Sequence, residues 1–175
     1  MATYTILENG RIAVEGARIV FRNFKGEASQ YNRAGDRNFA LVIDNQEFAQ
    51  KLSDEGWNIK IRPPREEGAD PFVYLPVSVS YRVSRLAPKV FLKRPHKETI
   101  PIDESHIADF DDMEFSDLKM VINPRHWTDD RTGEEHIKAY LIELWATQAE
   151  MLHFYDEYAE AENPRDDGED MDLPF

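Results

Sequence analysis

Residues 72–82 read FVYLPVSVSYR, with Val73, Leu75, Val77 and Val79 alternating with smaller or more polar residues. A period of two is the signature of a strand with one face buried, because successive strand side chains point to opposite faces. Pro76 lacks an N–H for a ladder and implies an edge or a bulge. The same period recurs on both sides. Residues 57–62 (WNIKIR) put Trp57, Ile59 and Ile61 on one face and Lys60 and Arg62 on the other. Residues 89–93 (KVFLK) put Lys89, Phe91 and Lys93 on one face. Residues 11–24 are rich in β-branched side chains and bend near Gly16, while 37–43 and 117–123 carry apolar runs. The turn-forming DDRTGEE before residues 137–145, with Gly133 near its tip, favours a strand there over a helix.

One segment has helical spacing. Asp44 is placed as an N-cap with Glu47 three residues on; Phe48, Ala49 and Leu52 follow, and Gly56 stops the segment. Residues 25–36, 63–71 and 94–116 read as loops. Seven or eight short strands and one helix predict a mainly β domain, a sandwich or a small barrel.

The chain has 175 residues and no cysteine. That length fits one domain with a core of its own, and the lack of cysteine excludes disulfide frameworks, thiol nucleophiles and Cys-ligated metal sites. Its apolar runs are far shorter than the ~18 residues of a membrane span, and MATYTILENG has no signal pattern. The expectation is a soluble, cytoplasmic protein.

The net charge of −13 argues at first against nucleic acid. It is not evenly spread. Residues 1–102 hold 16 basic and 12 acidic residues, a net of +4. Residues 103–117 hold seven acids and no Lys or Arg, and residues 156–175 hold nine acids and only Arg165. Asymmetry of this kind points to partners rather than to fold.

The front of the chain interleaves cations with aromatics, the mixture that lets a protein follow phosphates while bases stack on side chains. The candidates are Arg22, Phe24 and Lys25 after the first strands; Tyr31, Arg33 and Arg37 in and after the loop; Lys60 and Arg62; Tyr81 and Arg82; Lys89, Phe91 and Lys93; and Trp127. Trp57 and Phe39 read as core. Phe24, Tyr31, Tyr81 and Trp127 fit stacking and packing equally, and Lys60 with Arg62 fits a solvated face as well as a groove wall.

From residue 155 the composition collapses to acids, Pro and Gly, too apolar-poor to offset ordering entropy, so 155–175 is expected to be a disordered tail behind a domain of residues 1–154. The chain closes Asp170-Met171-Asp172-Leu173-Pro174-Phe175. Phe175 can fill an apolar pocket, its carboxylate can pair with a cation, and Asp170 and Asp172 add steering.

This ending resembles the acidic tip of bacterial single-stranded DNA-binding proteins, with Leu173 in place of the usual Ile. The body, through Ile19-Val-Phe-Arg-Asn-Phe-Lys-Gly26, Tyr31-Asn-Arg33 and Asp36-Arg-Asn-Phe-Ala40, resembles small phage-encoded single-stranded DNA-binding proteins. The resemblance implies an OB-like β-barrel elaborated by 94–116. It also implies binding of single-stranded DNA without strong sequence preference, in replication and recombination, with partner enzymes recruited by Asp170, Asp172, Leu173, Pro174 and Phe175. Oligomeric state stays open, a homo-oligomer included.

Enzymatic motifs are missing. The acids of 103–117 lack calcium-loop spacing, the five histidines form no HExxH or zinc pair, and no phosphate loop or nucleophile elbow occurs. No catalytic residue, metal or cofactor is assigned. The competing reading is an acidic DNA mimic or adaptor that binds a basic host protein. An RNA-binding barrel is a third, since stacking grooves accept either sugar.

Overall fold

The alternating segment at 72–82 forms a strand whose side chains at Val73, Leu75, Val77 and Val79 are all buried. The structure, a computed structural model, describes residues 1–150. It contains β1 (Thr3–Ile6), β2 (Ile12–Glu15), β3 (Ile19–Asn23), β4 (Arg37–Val42), α1 (Gln46–Glu55), β5 (Lys60–Arg62), β6 (Phe72–Val79), β7 (Lys89–Lys93), β8 (Ile100–Ile102), β9 (Phe115–Thr128) and β10 (Glu135–Gln148). The class is the expected one, mainly β with one α-helix among the described residues. The strands form a single sheet in the order β1-β2-β9-β10-β6-β4-β3, with β5 added to β6 and the β7–β8 hairpin added to β10. Its buried face carries one core that includes Ile12, Val14, Leu41, Leu75, Val77, Ile122, Leu141 and Leu144.

The strand path is open: β1 and β3, its two ends, do not pair. The β1 end is tied instead to the connection between β4 and α1. The Tyr4 hydroxyl donates to Asp44 Oδ1 at 2.8 Å, and the Ala2 N–H donates to Asp44 Oδ2 at 3.0 Å. Burial pushes the Tyr4 hydroxyl up to about 12. Burial also works to raise the Asp44 carboxyl, but the donors Ala2 and Tyr4 outweigh it and hold the group below its usual value. The Tyr4 ring stacks on Phe48 of α1 at 4.7 Å, tying the helix to the same corner.

Gly56 ends α1 with φ 104, and a Cβ there would lie 3.2 Å from the Glu135 carbonyl oxygen. The close approach lets Ile137 N–H donate to Gly56 O at 2.8 Å, which seats the helix against β10.

Several local readings change. The cap of α1 is Asn45, whose side chain accepts from Phe48 N–H, one residue after the expected Asp44. Pro76 lies in a central strand rather than at an edge. It is accommodated because β10 contacts β6 only at Val77 and Ser78, so no neighbour needs its missing N–H. In residues 57–62 only Trp57 is deeply buried, while Ile61 is 65 % exposed on the three-residue β5. The segment 94–116 is more than a loop: it holds β8 and a short 3-10 helix, Ile107–Asp111, whose Ile107 and Phe110 are fully buried. β1 carries no alternation strong enough to be foreseen, with a mostly exposed pattern. No helix among the described residues is long and apolar enough to cross a membrane. The expected tail and its tip, Asp170, Asp172, Leu173, Pro174 and Phe175, lie outside the described residues.

Candidate nucleic-acid interface

Alternation fixes the solvent-facing side of the sheet. On β7, Val90 and Leu92 are buried, so Lys89, Phe91 and Lys93 face outward as their spacing requires. β10 runs parallel beside β7, in register Glu143–Lys89, Trp145–Phe91 and Thr147–Lys93. Phe91 and Trp145 stack with ring centroids 4.2 Å apart. On the other side of β10, Lys119 of β9 lies in register with Trp145. One row across the sheet is therefore Pro101, Phe91, Trp145 and Lys119, an aromatic pair between a proline and a cation, with Lys89 and Lys93 on the rows either side.

A second row crosses at Asn38, Ser78, Tyr140 and Asn123. Lys138 Nζ lies 5.3 Å and the Arg125 guanidinium 6.0 Å from the Tyr140 ring. Further out on the β9–β10 hairpin, Trp127 is 48 % exposed and rests on His136, centroids 4.7 Å apart. Lys138 and Tyr140 also form one side of a groove of about 570 Å³, with Arg33, Arg37, Tyr81 and Arg82 around it.

A third aromatic group joins Phe21 of β3 to β6 and its neighbour β5. Phe21 meets Tyr74 at 5.4 Å and Phe72 at 6.2 Å, both edge to face, and the Arg62 guanidinium lies 4.8 Å from the Phe21 ring centroid. Lys60 and Arg62 are exposed in register with Tyr74 and Phe72.

Elsewhere the candidate cations are already engaged. The 103–115 segment folds back on the end of β3. Asp111 accepts from the backbone N–H of Phe24 at 2.6 Å and of Lys25 at 3.0 Å. Lys25 pairs with Asp112 at 3.2 Å, which raises the lysine above its ordinary value. Arg22 donates to the carbonyls of Phe110 and Met113 and lies over Phe115 at 5.1 Å. Arg37 donates to Phe24 O at 3.0 Å and pairs with Glu104 at 3.3 Å. Arg33 and Arg82 both pair with Asp36. Under Arg37 lies Tyr81, its hydroxyl buried and without a hydrogen-bond partner among the described residues; burial pushes it up to about 12.

The candidates thus divide. Lys60, Arg62, Lys89, Phe91, Lys93 and Trp127 stand on the outer face. Tyr31 is 89 % exposed at the tip of a loop whose backbone is tied by Asn32, which donates to Glu27 O and Asp36 O. Arg22, Lys25, Arg33, Arg37 and Arg82 are held by carboxylates or carbonyls, and Tyr81 is half-buried beneath Arg37. Phe24 is a correction: it is fully buried, stacked on Phe39 at 5.4 Å and edge-on to Phe110 at 5.6 Å, so it packs the core and presents no face to a base. The expected core positions Phe39 and Trp57 are buried. Sequence reasoning missed Phe21, Phe72, Tyr74, Tyr140 and Trp145. The signal for Tyr140 and Trp145 was present, since both fall out of phase with the apolar Ala139, Leu141, Leu144 and Ala146 once the segment is a strand.

Residues 2–172 match the model of a family described as "Putative phage ssDNA-binding domain". No curated protein sequence matches the chain. Among solved structures, the chain is similar to the single-stranded DNA-binding protein from bacteriophage Enc34 in complex with ssDNA, at 15 % identity and TM-score 0.54, covering 84 % of this chain and 91 % of that one. A second structure of the Enc34 protein gives TM-score 0.50 at 15 % identity, over 83 % of this chain and 85 % of that one. The likeness extends to the fold.

Proposed function

The chain belongs to the phage ssDNA-binding domain family, and from that premise we propose that it binds single-stranded DNA, with little sequence preference, on the outer face of its sheet. The observation that carries this reading is the set of unpaired cations around exposed aromatic rings: Lys60, Arg62, Lys89, Lys93, Lys119, Arg125 and Lys138 take part in no ion pair among the described residues. Stacked bases need rings with a free face, and Phe91–Trp145, Tyr140 and Trp127 supply them beside those cations. Any base has such a face, so the rings do not select sequence. Tyr31, at its loop tip, belongs to the same surface. Similarity of fold to a protein solved in complex with ssDNA supports the reading.

The cellular role follows the same line: protection of single strands in phage replication and recombination within the host cytoplasm. The acidic end, Asp170, Asp172, Leu173, Pro174 and Phe175, recruits partner enzymes through a short apolar hook with acidic steering.

Titration of the full chain with oligo(dT) at two salt concentrations tests the proposal. Trp fluorescence should be quenched on binding. The logarithm of the affinity should fall with the logarithm of salt by about 0.7 per phosphate contact, so four or five contacts give a slope near −3. A chain that binds no oligo(dT) at low salt would overturn this reading and leave the acidic mimic. Parallel RNA of equal length reports the sugar preference.

A further inference from the structure

We infer that Phe21, Tyr74 and Arg62 form a second base-stacking subsite, remote from Phe91–Trp145, so that one DNA strand bridges two aromatic anchors. The inference rests on the single-strand reading above and adds where the strand must go.

Phe21 is an unusual residue for its place. Its φ is 53, one of two non-glycine positive values among the described residues, and it sits at a register break between Val20 and Asn23 in the β3–β4 pairing. A phenylalanine gains nothing from left-handed backbone, which glycine or asparagine adopts at lower cost. Burial is no compensation either, since the side chain is 51 % exposed. Strained backbone that holds an apolar ring outward is the kind of local conflict that gathers at ligand sites.

The surroundings fit a nucleotide. Tyr74 and Phe72 meet Phe21 edge to face, and Arg62 lies over the Phe21 ring at 4.8 Å with no ion-pair partner among the described residues. Arg62 and Phe72 also line a groove of about 420 Å³ with Arg65, Glu66 and Asp70, so the phosphate of the stacked nucleotide falls to Arg62 at the ring rather than to the groove beyond it. The subsite takes an unpaired base on a ring and its phosphate on guanidinium.

Register sets the separation. Ser78 of β6 lies beside Tyr140 of β10, and the two strands are parallel. From that point Tyr74 is four residues back along β6 and Trp145 five forward along β10. Nine residues at about 3.3 Å each give a contour of roughly 30 Å, with Tyr140 between the anchors. A strand that reaches both gains the second contact at high effective concentration.

The test uses the full chain with labelled oligo(dT) of about 20 nucleotides, beyond the ~4–16 that an OB-fold covers, and of about four. Phe21→Ala should weaken the long oligonucleotide about ten-fold, the loss of one stacked base, and the short one at most about two-fold, because it can use the other anchor. Phe21→Tyr should restore the loss. Phe21→Gly relieves the backbone, so it should melt no lower than the wild type and still lose the long-strand affinity. Equal binding of the long strand by wild type and Phe21→Gly overturns the inference. So does an equal loss on both lengths, which would make Phe21 the sole anchor. Absence of wild-type binding instead overturns the parent reading.

Discussion

Lys25 and Lys93 are the same residue type, each at the end of a strand on the basic front of the chain, and the structure gives them opposite work. Lys25 lies at the braced edge, where the 103–115 segment returns across the end of β3 and neutralises it with Asp112. Lys93 lies on the open face, with no ion pair among the described residues and an aromatic pair one row away. The phenylalanines divide the same way: Phe24 is sealed among Phe39 and Phe110, and Phe91 is half-exposed on Trp145. What separates the two regions is a single acidic segment. It supplies the carboxylates and the buried Phe110 that turn one basic-aromatic cluster into structure. The other cluster keeps its charges unpaired among the described residues.

The largest test of this contrast removes the brace. Phe110 is fully buried against Phe24 and Phe115, so Phe110→Ala should cost about 3–5 kcal/mol of folding free energy, a large share of the ~5–15 available. Where that variant does not fold, Asp111→Asn is milder. It weakens the acceptor of two backbone N–H groups, bonds to a charged group that are each worth about 1.5–3 kcal/mol. Denaturant unfolding reads both. The folded fraction should bind oligo(dT) as the wild type does. A large loss of affinity with unchanged stability would show the braced edge to be part of the DNA path and dissolve the distinction.

A finer test compares the two lysines. Lys93→Gln should reduce the salt slope of oligo(dT) binding by about 0.7, one phosphate contact on a single strand. Lys25→Gln should leave the slope unchanged, because its charge is already met by Asp112. Equal effects from both would break the comparison at its centre.

How much of this was legible in the sequence follows from the range of each interaction. β6 and β7 announce themselves, because a period of two is a local pattern and Val73–Val79 and Lys89–Lys93 carry it cleanly. α1 is legible from Leu52 and Gly56, although the cap fell on Asn45 because only the fold decides which of two neighbouring acceptors meets Phe48 N–H. The site was half legible. Lys89, Phe91 and Lys93 share a face by parity alone, whereas their partner Trp145 lies 54 residues downstream of Phe91 and joins it through parallel pairing. Phe24 and Lys25 misled for the same reason. Their partners Phe110, Asp111 and Asp112 are more than 80 residues away, and nothing local says that an acidic run will fold back to claim them. Phe21 left no trace, since strained backbone has no composition signature at a phenylalanine.

The smallest expected effect lies in a turn of the acidic segment, where Asp103 accepts from Ser105 at 2.7 Å and contacts His106 Nδ1 at 2.8 Å. The hydrogen bond that His106 donates to Asp103, with the carboxylate's charge, raises His106 above its ordinary value. Ser105 and then His106 hold Asp103 below its own. The signs follow from linkage. The histidine's contribution to stability is fully present below its unfolded value near 6.5 and is lost as pH rises through the raised one. The aspartate's contribution is present above its unfolded value near 3.9 and is lost as pH falls through the lowered one. The pair therefore stabilises most between about pH 4 and 6.5. Both groups are exposed, so the gain is small. The melting temperature of the wild type minus that of His106→Asn should peak in that window and vanish at higher pH. Oligo(dT) affinity measured across the same range should not follow the difference, because the turn belongs to the brace. If affinity tracks His106 while melting does not, the charge on this turn is read by DNA, and the acidic segment belongs to the binding surface rather than to its support.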